Sequence, residues 1–350
     1  MTSVNLLVVP SAGPGDLSAL DKLNDHGARL DDVLAIVGKT EGNGCVNDFS
    51  RELASSLWDD RLSEDAITVF SGGTEGVLAP HLNVFVRDPE SVPGHDRGLV
   101  IGVGQTRPLA VPEIGRPTQI QLVAQVVSEI LTDLEVTADD VHLVLVKCPL
   151  LSSAQIAQAL SAGDTPVCTD TYQSMAHSRA ASALGIAVAL DETTQDVAEA
   201  ALTGEDQVWS ARASTSAGAE LRSCHIMVLA VSRTAANPLR AMHGVMHDAI
   251  DLTSLHPMFS AIEEQGGTVR QVFVKAEADP SGAVRGLRHT MLTDSDINAT
   301  RHARAAVGGL IAALKGDGAV YVSGGAEHQG PPGGGSITIV YEIPSSVTDA

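Results

Sequence analysis

Short apolar runs of β character alternate along the chain with segments whose apolar residues recur every three or four positions, the spacing of one helix face. The runs "VNLLVVP", "DVLAIVGK" and "AITVFSGG" predict strands, and "GDLSALDKLND" and "VNDFSRELASSLWDD" between them predict helices. Further along, "TQIQLVAQVVSEILTDL" predicts a long helix. This alternation assigns the chain to the α/β class.

The pattern is written three times. "SGGTE", "SAGAE" and "SGGAE" place Ser71, Ser216 and Ser323 each four residues before Glu75, Glu220 and Glu327, and each copy is followed by a β-rich run: "LNVFVRD", "CHIMVLAVS" and "SITIVYEI". Upstream of each serine another β-type run carries a lysine near its end, giving Lys39, Lys147 and Lys275. Between lysine and serine lies a helical segment with an arginine: Arg51, Arg179 and Arg304. Three units are therefore expected, at residues 1–90, 91–237 and 238–350, joined where Pro, Gly and Ser cluster in "PESVPGHD" and "SRTAANP". The expected architecture is three similar α/β repeat units around a pseudo-threefold axis, forming a barrel-like single assembly with the lysine and serine strand ends at one shared centre.

Composition agrees with a packed α/β protein. Of 350 residues 44% are hydrophobic, 19% charged and only 3% aromatic, which predicts an aliphatic core. With 22 basic against 43 acidic residues the net charge of -21 disfavours phosphate backbones and anionic lipid, so neither nucleic acid nor a membrane surface is expected as a partner. Cys45, Cys148, Cys168 and Cys224 are scattered without zinc-like spacing. The N-terminal stretch lacks the basic region and apolar length of a signal peptide, and the expected location is cytoplasmic.

A lysine closing a strand, a serine before glycines and an arginine on a helix are each ordinary alone, since strand ends and helix faces are commonly solvated and Ser-Gly suits turns. Structural repeats need to repeat only their apolar pattern. These repeat polar residues at strand ends, which points to a site. Serine is a weak nucleophile until a base takes its proton, and a neutral lysine can be that base. Crowding of lysines with arginines, together with burial, lowers a lysine pKa. Backbone N–H groups beside the serines suit an oxyanion, so the chemistry is amide or ester hydrolysis.

Over essentially its whole length, in its three Lys-Arg-Ser sets and in "VSGGAEHQGPPGG", the sequence resembles the ring-opening amidohydrolases, the family of cyanuric acid hydrolase and barbiturase. The resemblance implies hydrolysis of an amide bond in a cyclic imide, with Ser216 as nucleophile and Lys147 as base and then proton donor. Cyanuric acid would open to carboxybiuret, which loses carbon dioxide to give biuret; the alternative is barbituric acid opening to ureidomalonate. By the same resemblance Arg51, Arg179 and Arg304 hold ring carbonyls. Lys39, Lys275, Ser71 with Gly72, Ser323 with Gly324, and Ala217 where the sibling units have glycine complete the substrate site. No organic cofactor is implied. A structural Mg²⁺ or Ca²⁺ is, held by Glu277 and the carbonyls of Ala326, Gln329, Gly330, Pro331 and Gly334, oxygen donors suited to a hard cation. A homotetramer is implied as well.

Three other motifs are set aside. "LVIGVGQTR" lacks the third glycine of a dinucleotide fingerprint. "HGVMH" spaces His243 and His247 as a zinc helix would but has Gly244 in place of the glutamate. Cys148 alternates away from the Lys147 face. Two readings from other classes stand beside the hydrolase: a binding module whose basic centre holds a small anion, and an assembly protein whose repeats serve packing.

Overall fold

A computed structural model describes residues 3–88, 95–204 and 207–345 of the chain. The expected boundary at residues 90 and 91 lies outside the described residues. Three four-stranded sheets organise the rest. The first is built from β1 (Ser3–Pro10), β2 (Val33–Thr40), β3 (Ile67–Gly72) and β4 (His81–Asp88), with helices α1 (Ala19–Asp25) and α2 (Phe49–Asp59) between strands. The second contains β5 (Gly98–Gln105), β6 (Val141–Pro149), β7 (Ala213–Gly218) and β8 (His225–Ser232). Its helices are α3 (Pro117–Asp133), α4 (Ser153–Ala162), α5 (Thr171–Ala189) and α6 (Gln195–Leu202). The third has β9 (Leu239–Met246), α7 (Leu252–Glu264), β10 (Thr268–Ala276), the short hairpin β11 (Ala283–Val284) and β12 (Leu287–Arg288), α8 (Ala299–Lys315), β13 (Tyr321–Gly324) and β14 (Gly335–Glu342).

Each sheet places its own first, fourth, second and third strands side by side in that order, the hairpin of the third unit standing apart. In each, the second and third strands are parallel and the remaining pairs antiparallel. Even an irregularity repeats: the ladder shifts register near the start of the second strand, between Val33 and Ala35, Val141 and Leu143, and Val269 and Gln271. Such a bulge bends a strand while keeping its buried face buried.

Each sheet is covered on one face by its helices and on the other by its siblings. On the helix side of the first sheet, Ile36, Phe70 and Val84 pack with Leu23, Ala54 and Trp58. On the opposite face a common core draws Ala35, Val37 and Phe85 from the first sheet, Leu143, Leu145 and Leu229 from the second, and Phe273, Tyr321 and Val340 from the third. Burial on both faces explains why β2 reads as an apolar run without alternation. The three sheets join through this core. Among the described residues no hydrogen-bonded ladder connects one sheet to another, so the expected barrel is a packing of faces and not a closed sheet.

The helices begin where the chain supplies caps. α2 starts at Phe49 and not at Val46, because Asp48 accepts from the backbone of Ser50. α1 starts at Ala19 and not at Gly15, because the Asp16 carboxylate accepts from the backbone of Ala12 and Ser18 and holds the preceding turn outside the helix. The long helix α3 buries Ile120, Val123, Ala124, Val127 and Ile130, the stripe its spacing predicts. No helix among the described residues is long and apolar enough to cross a membrane.

Candidate active site

Side chains two apart on a strand share a face. On β2 the common-core face runs Ala35, Val37, Lys39; on β6 it runs Leu143, Leu145, Lys147; on β10 it ends Phe273, Lys275. The parallel neighbours end in Ser71, Ser216 and Ser323, and the register sets Lys39 opposite Ser71, Lys147 opposite Ser216 and Lys275 opposite Ser323. The apolar core therefore ends in a ring of three lysines and three serines. Each lysine is 1% exposed.

The three pairs differ in detail. Lys39 Nζ donates to Ser71 Oγ at 3.4 Å and to the Gly72 carbonyl at 3.1 Å. Lys275 Nζ donates to Ser323 Oγ at 3.0 Å, to the Gly324 carbonyl at 3.3 Å and, across the unit boundary, to the Thr215 carbonyl at 2.7 Å. Lys147 Nζ likewise crosses to the Phe70 carbonyl at 2.7 Å and reaches that of Ala217 at 3.4 Å, but makes no hydrogen bond to Ser216 Oγ. That hydroxyl is buried and has no partner among the described residues. Ser216 is also the most open of the three serines, 8% exposed against 5% for Ser71 and 1% for Ser323.

The arginines and the glutamates of the repeated motif interlock between units. Arg304 of α8 grips Glu75 with Nε and Nη2 at 2.9 and 2.6 Å, and Arg179 of α5 grips Glu327 at 2.8 and 2.6 Å. Arg51 of α2 faces Glu220, completing the cycle, but its Nε stands 4.0 Å away and its other nitrogens donate to the carbonyls of Ala217 and Cys45. Glycine makes room for two of these guanidinium groups. A Cβ on Gly73 would stand 2.5 Å from Arg304, and one on Gly325 would stand 2.6 Å from Arg179. Both residues have positive φ, at 103° and 77°.

Burial pushes all three lysines below their ordinary pKa. For Lys39 and Lys275 the neighbouring Arg304 and Arg179 add to the fall, which is large. For Lys147 burial is opposed by the Glu220 carboxylate, 3.4 Å from Nζ, and the value settles at about 8. A lysine of that pKa is part neutral near pH 7–8, where a general base works best.

Four contributors lie outside the candidate site residues. Glu75, Glu220 and Glu327 recur with the serines, and that recurrence was the available signal. Tyr321 occupies the place held by Val69 and Ser214 in the sibling strands; fully buried, its hydroxyl lies toward those of Ser71 and Ser216 without a formed hydrogen bond. Cys148 sits on the opposite face of β6, in the helix-side core. His243 and His247 lie on and just beyond β9 and not on a helix; the first meets His142 and the second Asp251. "LVIGVGQ" is the strand β5, not a strand-to-helix turn.

The loop after Ser323 turns back on itself. The Gln329 backbone donates to the Ala326 carbonyl and Gly334 to that of Pro331, while the Ser336 N–H reaches the Gln329 carbonyl at 2.7 Å. Glu277 lies beside this loop, accepting from the Gly333 N–H at 3.2 Å, and burial together with the nearby Glu327 raises its pKa. Glu277, Ala326 and Gly330 line one cavity of about 540 Å³. Among the described residues no cluster of three His, Cys, Asp or Glu side chains could hold a metal ion. A single carboxylate with backbone oxygens is a donor set of a different kind, and a buried carboxylate of raised pKa beside a second one fits a cation.

Residues 5–342 match the family model described as amidohydrolase ring-opening protein. The chain is 63% identical to a cyanuric acid amidohydrolase of Rhodococcus sp, over 99% of this chain and 98% of that one. It is 55% identical to one from Pseudonocardia dioxanivorans, over 99% and 100%. A solved cyanuric acid hydrolase from A. caulinodans superposes with a TM-score of 0.90 at 42% identity, covering 98% of this chain and 99% of that one.

Proposed function

The chain belongs to the ring-opening amidohydrolases, an enzyme family, and on that premise we propose that it opens cyanuric acid at the centre of its three sheets, with Ser216 as nucleophile and Lys147 as base. The observation that carries this reading is the ring of three register-matched lysine–serine pairs at the end of one common core. Cyanuric acid alternates three carbonyls with three ring N–H groups, and a threefold ring of donors and acceptors complements that alternation. The names of the similar enzymes support the same substrate. Membership of an enzyme family sets aside the anion-binding and packing-only readings.

In the proposed reaction neutral Lys147 takes the proton of Ser216 as Oγ bonds to a ring carbonyl carbon. The tetrahedral intermediate collapses by breaking the ring C–N bond, and the Lys147 ammonium returns its proton to the departing nitrogen. Water, deprotonated by the again-neutral lysine, then bonds to the acyl carbon; the bond to Ser216 Oγ breaks, Oγ takes the proton back from Lys147, and carboxybiuret is released, which loses carbon dioxide to biuret. Lys39 and Lys275, held near their own serines, serve binding together with Ser71, Gly72, Ala217, Ser323, Gly324 and the three arginines. Loss of ring absorbance is expected with cyanuric acid and not with barbituric acid. Turnover of barbituric acid alone would make the enzyme a barbiturase, and turnover of neither would sink the substrate proposal.

The cation is proposed to be held by Glu277 with the carbonyls of Ala326, Gln329, Gly330, Pro331 and Gly334. When bound it supplies charge that neutralises a buried carboxylate and orders the loop carrying Glu327, the partner of Arg179. Chelation followed by dialysis is expected to lower the melting temperature by about 3–5 °C, the effect of losing a ligand present at a hundredfold over its Kd. Mg²⁺ or Ca²⁺ should restore it, and should not do so in Glu277→Gln. An unchanged melt in the wild type would remove the metal from the reading.

A further inference from the structure

Three glutamates occupy the same place in the three units, yet only two of them do the same thing. Glu75 and Glu327 are each closed on an arginine from a neighbouring unit by two hydrogen bonds. Glu220 is not: among the described residues Arg51 Nε and Glu220 Oε1 are both buried without a hydrogen-bond partner, 4.0 Å apart, and the same Oε1 lies 3.4 Å from Lys147 Nζ. The backbone differs at the same point. Gly73 and Gly325 have positive φ and lie against a guanidinium, whereas Gly218 continues strand β7 and the Glu220 carboxylate itself curls over it, 2.2 Å from where a Cβ would stand.

From this open clamp we propose that Glu220 is a positioning residue that singles out the middle lysine–serine pair as the reacting one. The inference rests on the reading of Ser216 and Lys147 given above. All three lysines are buried alike, and a carboxylate closed on a guanidinium has most of its field cancelled. Glu220 keeps its charge available to Lys147. It thereby holds Nζ in place and keeps its proton affinity in the range where one group can both accept and return a proton, which repeated base and acid steps require. At the outer lysines the arginine outweighs the glutamate, Arg304 over Glu75 beside Lys39 and Arg179 over Glu327 beside Lys275, and the fall in pKa is larger; at Lys147 Glu220 outweighs Arg51. Other charged groups near Lys147 are Arg51, which opposes Glu220, and Asp48; the Cys148 thiol acts from the opposite face of β6, and His225 lies opposite Lys147 on β8. Burial raises the Glu220 carboxyl, but Lys147 and Arg51 together hold it below its ordinary value, so it is the anion.

The test compares kcat against pH on cyanuric acid for the wild type, Glu220→Gln, Glu75→Gln and Glu327→Gln, with Ser216→Ala alongside. The neutral lysine is the active base, so kcat climbs with pH through its pKa. Removing the adjacent negative charge lowers that pKa, and the acid limb of Glu220→Gln should move about one unit to lower pH, with kcat about 10- to 100-fold lower and KM within about threefold. Glu75→Gln and Glu327→Gln should raise KM and leave the limb where it is. Glu220→Asp keeps a charge near Nζ and should return the limb toward the wild-type position; should Glu220→Gln not fold, the smaller downward shift in Glu220→Asp is the readout. A limb unmoved at position 220, or moved equally in all three glutamate variants, overturns the inference. Full turnover in Ser216→Ala would instead overturn the reading beneath it.

Discussion

Ser216→Ala is expected to lower kcat on cyanuric acid by about 10⁴-fold or more, with the melting temperature close to wild type, because no bond to the rest of the protein is lost with this hydroxyl. Lys147→Met, which keeps the apolar stem, should lose a similar factor. The matched changes behave differently. Ser71 and Ser323 accept hydrogen bonds from Lys39 and Lys275, so Ser71→Ala and Ser323→Ala remove one polar contact each and should raise KM by about 10-fold, the worth of a hydrogen bond. On the proposed reading the hydroxyls held by Lys39 and Lys275 serve binding and that of Ser216 attacks. With Lys147 at about 8, wild-type kcat should climb with pH between about 7 and 9 and then level. Steady-state kinetics on the four variants decide the matter. Equal loss of kcat at all three serines would show that the pairs share the chemistry and that the middle one has no special role.

The threefold plan was legible because it rests on strand periodicity. A lysine two residues beyond an apolar pair must share its face, and repetition of that order in three units makes a solvated strand end a poor account of it. The lysine-to-serine register follows from parallel pairing. What the sequence concealed is the departure from symmetry. Nothing in "SAGAE" beside "SGGTE" and "SGGAE" indicates that Glu220 turns to a lysine while its counterparts take arginines, because that choice depends on the backbone at Gly218 and on the Cys45 and Ala217 carbonyls that hold Arg51. The glycines were read as turn chemistry, yet Gly73 and Gly325 are also the space into which an arginine of a different sheet is laid. Tyr321 escaped for a related reason: an aromatic in an apolar run reads as core, and only the meeting of three sheets brings its hydroxyl to two serines.

Arg304→Ala is expected to destabilise the fold by about 3–5 kcal/mol, since it strands the Glu75 carboxylate in the interior. Arg304 is 3% exposed at its side chain and Glu75 is 9% exposed, so solvent cannot replace what is lost. Glu75 retains Arg301 at 3.1 Å, a more exposed partner bound through one contact, which keeps the cost within that range. Because Arg304 belongs to the third unit and Glu75 to the first, the penalty falls on the junction between units. The double variant Arg304→Ala with Glu75→Ala should recover about 2–3 kcal/mol of the summed single losses, because removing both charges leaves neither buried alone. Urea unfolding of the four proteins measures this coupling. Additive losses would mean that the two closed clamps are incidental contacts, and the units would then be held together by the apolar core alone. Strong coupling would place the arginine–glutamate ring among the forces that bring three separate sheets to one site.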